Sequence, residues 1–125
     1  MMEVGQTYTQ TITVREQDSA VALGSGGLQV FGTPAMIAYM ECTALTMVKN
    51  DLPEGSDTVG IEINVKHCKA SAIGAEITFT ATITEIEGRR IAYHIEAKDQ
   101  QGDLIGSAEH QRFIVDKERF MSKLK

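Results

Sequence analysis

The segment from Pro34 to Val48, PAMIAYMECTALTMV, carries a single charged residue, Glu41, and constrains the fold more than any other stretch. Thr33-Pro34 opens it as a helix start does, with a hydroxyl suited to an N-cap and a proline at the first helical position. Lys49-Asn50-Asp51, ahead of Pro53 and Gly55, closes it. A helix that is apolar almost all round belongs inside protein. The remaining chain therefore has to wrap it.

That remainder reads as strands. Residues 6–14 (QTYTQTITV) are rich in β-branched types, and Tyr8, Ile12 and Val14 share one parity, as in a half-buried strand. Residues 58–68 alternate, with Val59, Ile61, Ile63, Val65 and His67 on one face and Gly60, Glu62, Asn64 and Lys66 on the other. Residues 75–86 turn Ile77, Phe79, Ala81 and Ile83 inward. After a hairpin turn at Glu87-Gly88, residues 90–98 do the same with Ile91, Tyr93, Ile95 and Ala97. A last strand follows near 104–115, and Asp116 is placed to cap a short helix whose Phe120 and Leu124 would dock back on the body. Short connections make neighbouring strands antiparallel, and a sheet with one apolar face must cover it. The expected class is α+β, a five-stranded antiparallel sheet wrapped around a central helix. Open sheet edges favour pairing of two copies into a symmetric homodimer, or a higher oligomer built from it.

The length of 125 residues suits one domain over residues 1–125. Twelve basic against seventeen acidic residues give a net charge of −5, and a nucleic-acid binder would normally carry a basic surplus. No apolar run approaches the roughly 18 residues needed to cross a bilayer, and the N-terminus lacks a signal-peptide core, so no membrane partner is expected and the cytoplasm is the expected location. Cys42 and Cys68 form no CxxC pair and no metal-spaced cluster with histidine. Inside regular structure, each would be a small buried hydrophobe.

Three residues break the pattern in ways that chemistry can use. Glu41 projects from an apolar stripe, where an unpaired carboxylate costs several kcal/mol or is neutralised. It is either a structural glutamate bonded to a donor or a catalytic base or nucleophile lining a pocket. His67 ends the inward parity of a Val/Ile strand, as a satisfied core histidine or as the proton-exchanging partner of Glu41. Thr33 can be a plain N-cap, or it can stand where free helix amides hold an oxyanion. Eight residues of helix separate Thr33 from Glu41, roughly 12 Å of rise, so the two can share a reaction only if each comes from a different subunit. Among weaker candidates, His94 faces outward with Glu96 and Lys98. His110 and Arg112 share a parity, and Arg112 would clamp an anion or pair with an acidic neighbour. Lys66, Lys69, Arg89 and Arg90 suit either a polyanion site or a solvated rim. Gly24-Ser25-Gly26-Gly27 is a plain loop or a mobile flap.

The run Thr33-Pro34 and Met40-Glu41, then Thr58-Val59-Gly60, His67 and Gly74, resembles the hotdog thioesterases related to fluoroacetyl-CoA thioesterase. Glu87-Gly88-Arg89-Arg90, Arg112-Phe113, Val115-Asp116 and Arg119-Phe120 fit as well, so the likeness spans roughly residues 5–120. The resemblance implies a hotdog fold, a homodimer with a shared sheet, no metal or cofactor, and hydrolysis of an acyl-CoA thioester to a free acid and CoA. It implies Thr33, Glu41 and His67 as the catalytic set, with Gly60 near the acyl group; Phe31, in the lid region, and Arg112 are this chain's further candidates for substrate contact. The fluoro-specific activity is not carried over; a short- or medium-chain acyl group, aryl groups included, is the expectation. The alternative function is a hotdog protein that binds acyl-CoA as a sensor without cleaving it; a hydratase would need an Asp/His motif that is absent here.

Overall fold

The computed structural model describes residues 2–124. In chain order it holds β1 (Thr7–Thr13), α1 (Ala20–Leu23), α2 (Thr33–Val48), β2 (Ser56–His67), β3 (Glu76–Glu87), β4 (Arg90–Asp99), β5 (Leu104–Asp116) and α3 (Lys117–Ser122). The five strands form one antiparallel sheet in the order β1-β3-β4-β5-β2, which leaves β1 and β2 at its edges. The sheet curves around α2, as its alternation requires. Ile77, Phe79, Ala81 and Ile83 of β3 and Ile91, Tyr93, Ile95 and Ala97 of β4 are all buried. They meet Met36, Met40, Ala44, Met47 and Val48 of α2. Gly88, at φ 59°, takes the left-handed conformation that the two-residue loop between Glu87 and Arg90 demands.

Four expectations need correction. The helix is covered along one stripe, not all round: Ala38 and Cys42 are exposed on its other side. Both cysteines are exposed, Cys68 because β2 ends one residue before it. Leu124 stays in solvent and only Phe120 is half-buried, because α3 ends at Ser122. Asp116 does cap that helix, accepting from the amide of Arg119 at 2.9 Å.

The fourth correction matters for chemistry. A β-bulge between Gly60 and Glu62 inserts Ile61 as an extra residue in β2. The inward set is therefore Thr58 and Gly60 before the bulge and Ile63, Val65 and His67 after it, opposite Ile114, Arg112, His110, Ala108 and Gly106 of β5. Val59 pairs with Phe113 and Ile61 is 52% exposed. One inserted residue reverses the face of everything upstream of it.

Candidate active site

The first group of functional side chains lies at the start of α2. Thr33 is the first residue of the helix, not its cap: Gly32 occupies the N-cap position and no side chain caps it. Gly32 sits there because a Cβ would come within 3.1 Å of the Ala20 backbone nitrogen, where α1 crosses. Freed from capping, the Thr33 hydroxyl lies 2.7 Å from Nδ1 of His67. The His67 ring stands edge-on to buried Phe31, with centroids 6.4 Å apart. Its Nε2 is buried and has no hydrogen-bond partner among the described residues. Burial holds the imidazole below its ordinary 6.5, so it is neutral near pH 7. An orphaned buried ring nitrogen is an expensive arrangement unless something else completes it. Phe31, Thr33, His67 and Cys68 line a cleft of ≈ 300 Å³ beside it.

The second group gathers around Glu41, two helical turns along. Its Oε2 lies 3.7 Å from Nη1 of Arg112 and its side chain is 40% exposed. The expected apolar enclosure is therefore replaced by a polar groove, because the bulge turns Thr58 and Gly60, not Val59 and Ile61, toward the helix. A Cβ on Gly60 would come within 2.7 Å of Glu41 Oε2, 3.3 Å of His110 Cε1 and 3.4 Å of Arg112 Nη1. Only glycine lets the carboxylate reach this position. Arg112 is held from beneath: Nε donates to Thr58 Oγ1 at 2.8 Å and Nη2 to the Thr58 carbonyl at 3.0 Å. Nη1 lies 3.2 Å from His110 Nε2, and His110 Nδ1 donates to the Glu62 carbonyl at 2.7 Å. Tyr93 stacks on the His110 ring with centroids 6.0 Å apart.

Of the expected residues, Phe31, Thr33 and His67 come together, and Glu41, Gly60 and Arg112 come together. The two sets do not meet within one chain. Gly60 pairs with Arg112 and His67 with Gly106, six positions apart on β5 or about 20 Å. The imidazole near Glu41 belongs to His110, so the Glu41–His67 pair expected from the sequence does not form inside one copy. His110 and Thr58, which hold Arg112, join the candidate site residues. The shared parity of His110 and Arg112 is the signal that points to them, once the strand is known to turn both inward. His94 faces outward as expected, bonded to Glu109 and Glu96 at 2.5 and 3.1 Å. Lys69 is tied to Asp99 and Asp103, and Arg90 to Glu85 and Glu87, which makes these two cations rim pairs.

A family model described as fluoroacetyl-CoA-specific thioesterase matches residues 14–118. The chain is 33% identical over 97 residues to the fluoroacetyl-CoA thioesterase of Streptantibioticus cattleyicolor, covering 78% of this chain and 69% of that protein. Among solved structures, a fluoroacetyl-CoA thioesterase superposes with a TM-score of 0.94 at 29% identity, over 99% of this chain and 96% of that one. A hot-dog-like protein from Thermanaerovibrio acidaminovorans matches with a TM-score of 0.88 at 23% identity, over 97% and 89% of the two chains.

Proposed function

The chain belongs to the fluoroacetyl-CoA-specific thioesterase family and has the hotdog fold, and from that premise we propose that it hydrolyses an acyl-CoA thioester to free acid and CoA at a site shared by two copies. The observation that carries this reading is the division of the polar groups into Thr33–His67 and Glu41–Arg112, each incomplete alone. β2 is an open edge of the sheet. Antiparallel pairing of two β2 edges about an axis at Asn64, with Ile61 bulged out as the extra residue, sets Gly60 opposite the partner subunit's His67, inward face to inward face. Such a homodimer brings the two halves together and closes an edge that would otherwise template aggregation.

In the composite site, the Thr33 hydroxyl and the orphaned Nε2 of His67 from one copy face the thioester held beside Glu41 of the other. Glu41 attacks the carbonyl carbon itself or takes a proton from the water that does so. The C–S bond then breaks and CoA leaves as a thiolate that needs little acid assistance; after direct attack, water then cleaves the acyl–Glu41 anhydride, releasing the acid and restoring the carboxylate. Arg112 orients the carboxylate, Gly60 makes room for the acyl carbon, and Phe31 walls the acyl pocket. The proposed substrate is a short- or medium-chain acyl-CoA. The whole chain acts as one catalytic domain in the cytoplasm; among the described residues no helix is long and apolar enough to cross a membrane.

The test is thiol release from a panel of acyl-CoAs by the wild type, Thr33→Ala, Glu41→Ala and the two variants remixed. Each variant alone should be inactive, and random remixing should restore about a quarter of the wild-type sites. No recovery despite demonstrated exchange of subunits would show that the site is not shared. Oxygen-18 from water appearing in the Glu41 carboxylate would identify direct attack. Binding of acyl-CoA with no thiol release from any panel member would leave the sensor reading standing.

A further inference from the structure

Arg15, Arg90 and Arg112 each sit on a carboxylate. The remaining two arginines, Arg89 and Arg119, make no side-chain ion pair or hydrogen bond among the described residues, and both line the same cleft. It lies where the β3–β4 hairpin, the end of β5 and α3 converge, has a volume of ≈ 580 Å³, and also takes in Lys123, Phe113 and Phe120. Its one acid, Asp116, is already engaged in capping α3. In a chain of net charge −5 this is a local excess of three cations over one carboxylate beside two aromatic rings. Such unspent guanidinium groups are built to grip phosphate oxygens in pairs, and the exposed ring of Phe113 and the half-buried ring of Phe120 beside them offer a stacking face for a base.

Resting on the thioesterase reading above, we propose that this cleft binds the nucleotide end of the CoA substrate, with Arg89, Arg119 and Lys123 on its phosphates and the adenine against Phe113 or Phe120. The reach fits. The pair Ser56–Asp116 closes the β2–β5 ladder beside the cleft, four positions from Gly60–Arg112, or about 13 Å. The arm joining the thioester to the diphosphate of CoA is as long as a little over four extended residues, about 15 Å. A substrate anchored in the cleft can thus round the end of the β2–β5 pair and deliver its thioester to Glu41. The cluster also gives a negatively charged protein a local field that draws in a polyanionic substrate.

The experiment compares an acyl-CoA with the acyl-pantetheine of the same acid, which lacks the nucleotide, on wild type and on the triple variant Arg89→Ala/Arg119→Ala/Lys123→Ala. KM for the acyl-CoA should rise about ten- to hundredfold, the loss of one or two charged hydrogen bonds. Turnover of the acyl-pantetheine should be the same in both proteins, which also certifies the fold of the variant. Arg89→Lys/Arg119→Lys should recover part of the affinity. A parallel titration with 3′,5′-ADP needs no catalysis: the wild type should bind it and the triple variant should not. An unchanged KM for acyl-CoA, equal losses on both substrates, or equal binding of 3′,5′-ADP by both proteins would overturn the proposal. A wild type that binds 3′,5′-ADP but cleaves neither thioester would instead remove the thioesterase reading and keep the cleft.

Discussion

Nη1 of Arg112 lies 3.2 Å from Nε2 of His110, and this contact fixes the charge of the imidazole. A guanidinium only donates, so Nε2 must present a lone pair while the Nδ1 proton goes to the Glu62 carbonyl. His110 is therefore a neutral strut between the bulge of β2 and the cation beside Glu41. His110→Leu leaves a buried N–H of Arg112 and the Glu62 carbonyl without this partner and should cost about 1–3 kcal/mol in urea unfolding. His110→Gln, which can both accept and donate, should cost less and keep more of the turnover. Equal losses in the two variants would show that packing, not the proton arrangement, is what His110 supplies.

The same strut sets the acid side of the stability profile. Burial pushes His110 below its ordinary 6.5, the hydrogen bond to the Glu62 carbonyl pulls part of the way back, and the smaller effects of the Arg112 and Glu41 charges lower and raise it in turn; burial also lowers His67. As pH falls below about 6.5, the unfolded chain takes up protons that the folded chain refuses, so stability falls from there toward the depressed folded values. His94 works in the opposite sense: the hydrogen bonds it donates to Glu109 and Glu96 raise it. Its contribution is full below 6.5 and is lost as pH rises through the raised value. His94→Gln should thus steepen the acid-side loss and matter little at high pH, by a small amount because the pair is exposed. Urea midpoints between pH 5 and 8 check the sign, and a shallower acid slope in His94→Gln would contradict it.

Gly60→Ala should reduce kcat about a hundredfold, the cost of misplacing a reacting group by an ångström. The added methyl would sit 2.7 Å from the Glu41 carboxylate oxygen and force it aside. The displaced group is the end of a half-exposed side chain, so the melting temperature should change little. Unimpaired turnover in Gly60→Ala would mean that Glu41 does not work from the position it holds here.

The parts of this arrangement that follow an uninterrupted period are legible from the chain alone. β3 and β4 bury the residues that alternation assigns to them, and α2 runs from Thr33 to Val48 as its punctuation indicates. β2 defeats the same rule because Ile61 is apolar and keeps a perfect alternation on paper. Its expulsion is decided by the register with β5, which no local pattern carries. The inward turn of His110 and Arg112 is hidden for the converse reason, since polar side chains at inward positions read as solvent-facing. Thr33 looks like an N-cap because capping depends on whether Gly32 or Thr33 leaves helical geometry, and the close crossing of α1 decides that.

Thr33→Val should lower kcat by about 10²-fold, the usual share of one positioned proton-handling partner, while Thr33→Ser keeps most of it. Valine matches threonine in shape but removes the hydroxyl that lies 2.7 Å from His67 Nδ1. Because Thr33 does not cap α2, the stability of Thr33→Val should stay within about 1 kcal/mol of wild type. A large loss of stability with little loss of rate would return Thr33 to a purely structural role.

Asp18 has no counterpart in any sequence pattern, yet it fastens the connection that carries Phe31. Its buried carboxylate accepts from the Arg15 amide at 3.0 Å, from Arg15 Nε and Nη2 at 3.2 and 3.1 Å, and from the Tyr39 hydroxyl at 3.0 Å. Its backbone carbonyl accepts from Gly32, one residue before the helix, at 2.9 Å. Tyr39 in turn packs on Phe31 and Phe79. Burial alone would raise the Asp18 pKa, but the hydrogen bonds from Arg15 and Tyr39 together outweigh it and leave it below 3.8. A depressed carboxylate contributes stability above its unfolded pKa and loses it as pH falls through the folded value. Asp18→Asn should therefore destabilise the protein by about 1–3 kcal/mol at pH 7, and the gap to wild type should narrow below pH 3.8 as the native carboxylate itself takes a proton. Thermal melts of both proteins at pH 7 and pH 3 measure the gap. A difference that persists undiminished in acid would assign the loss to side-chain shape, not to the charge of Asp18.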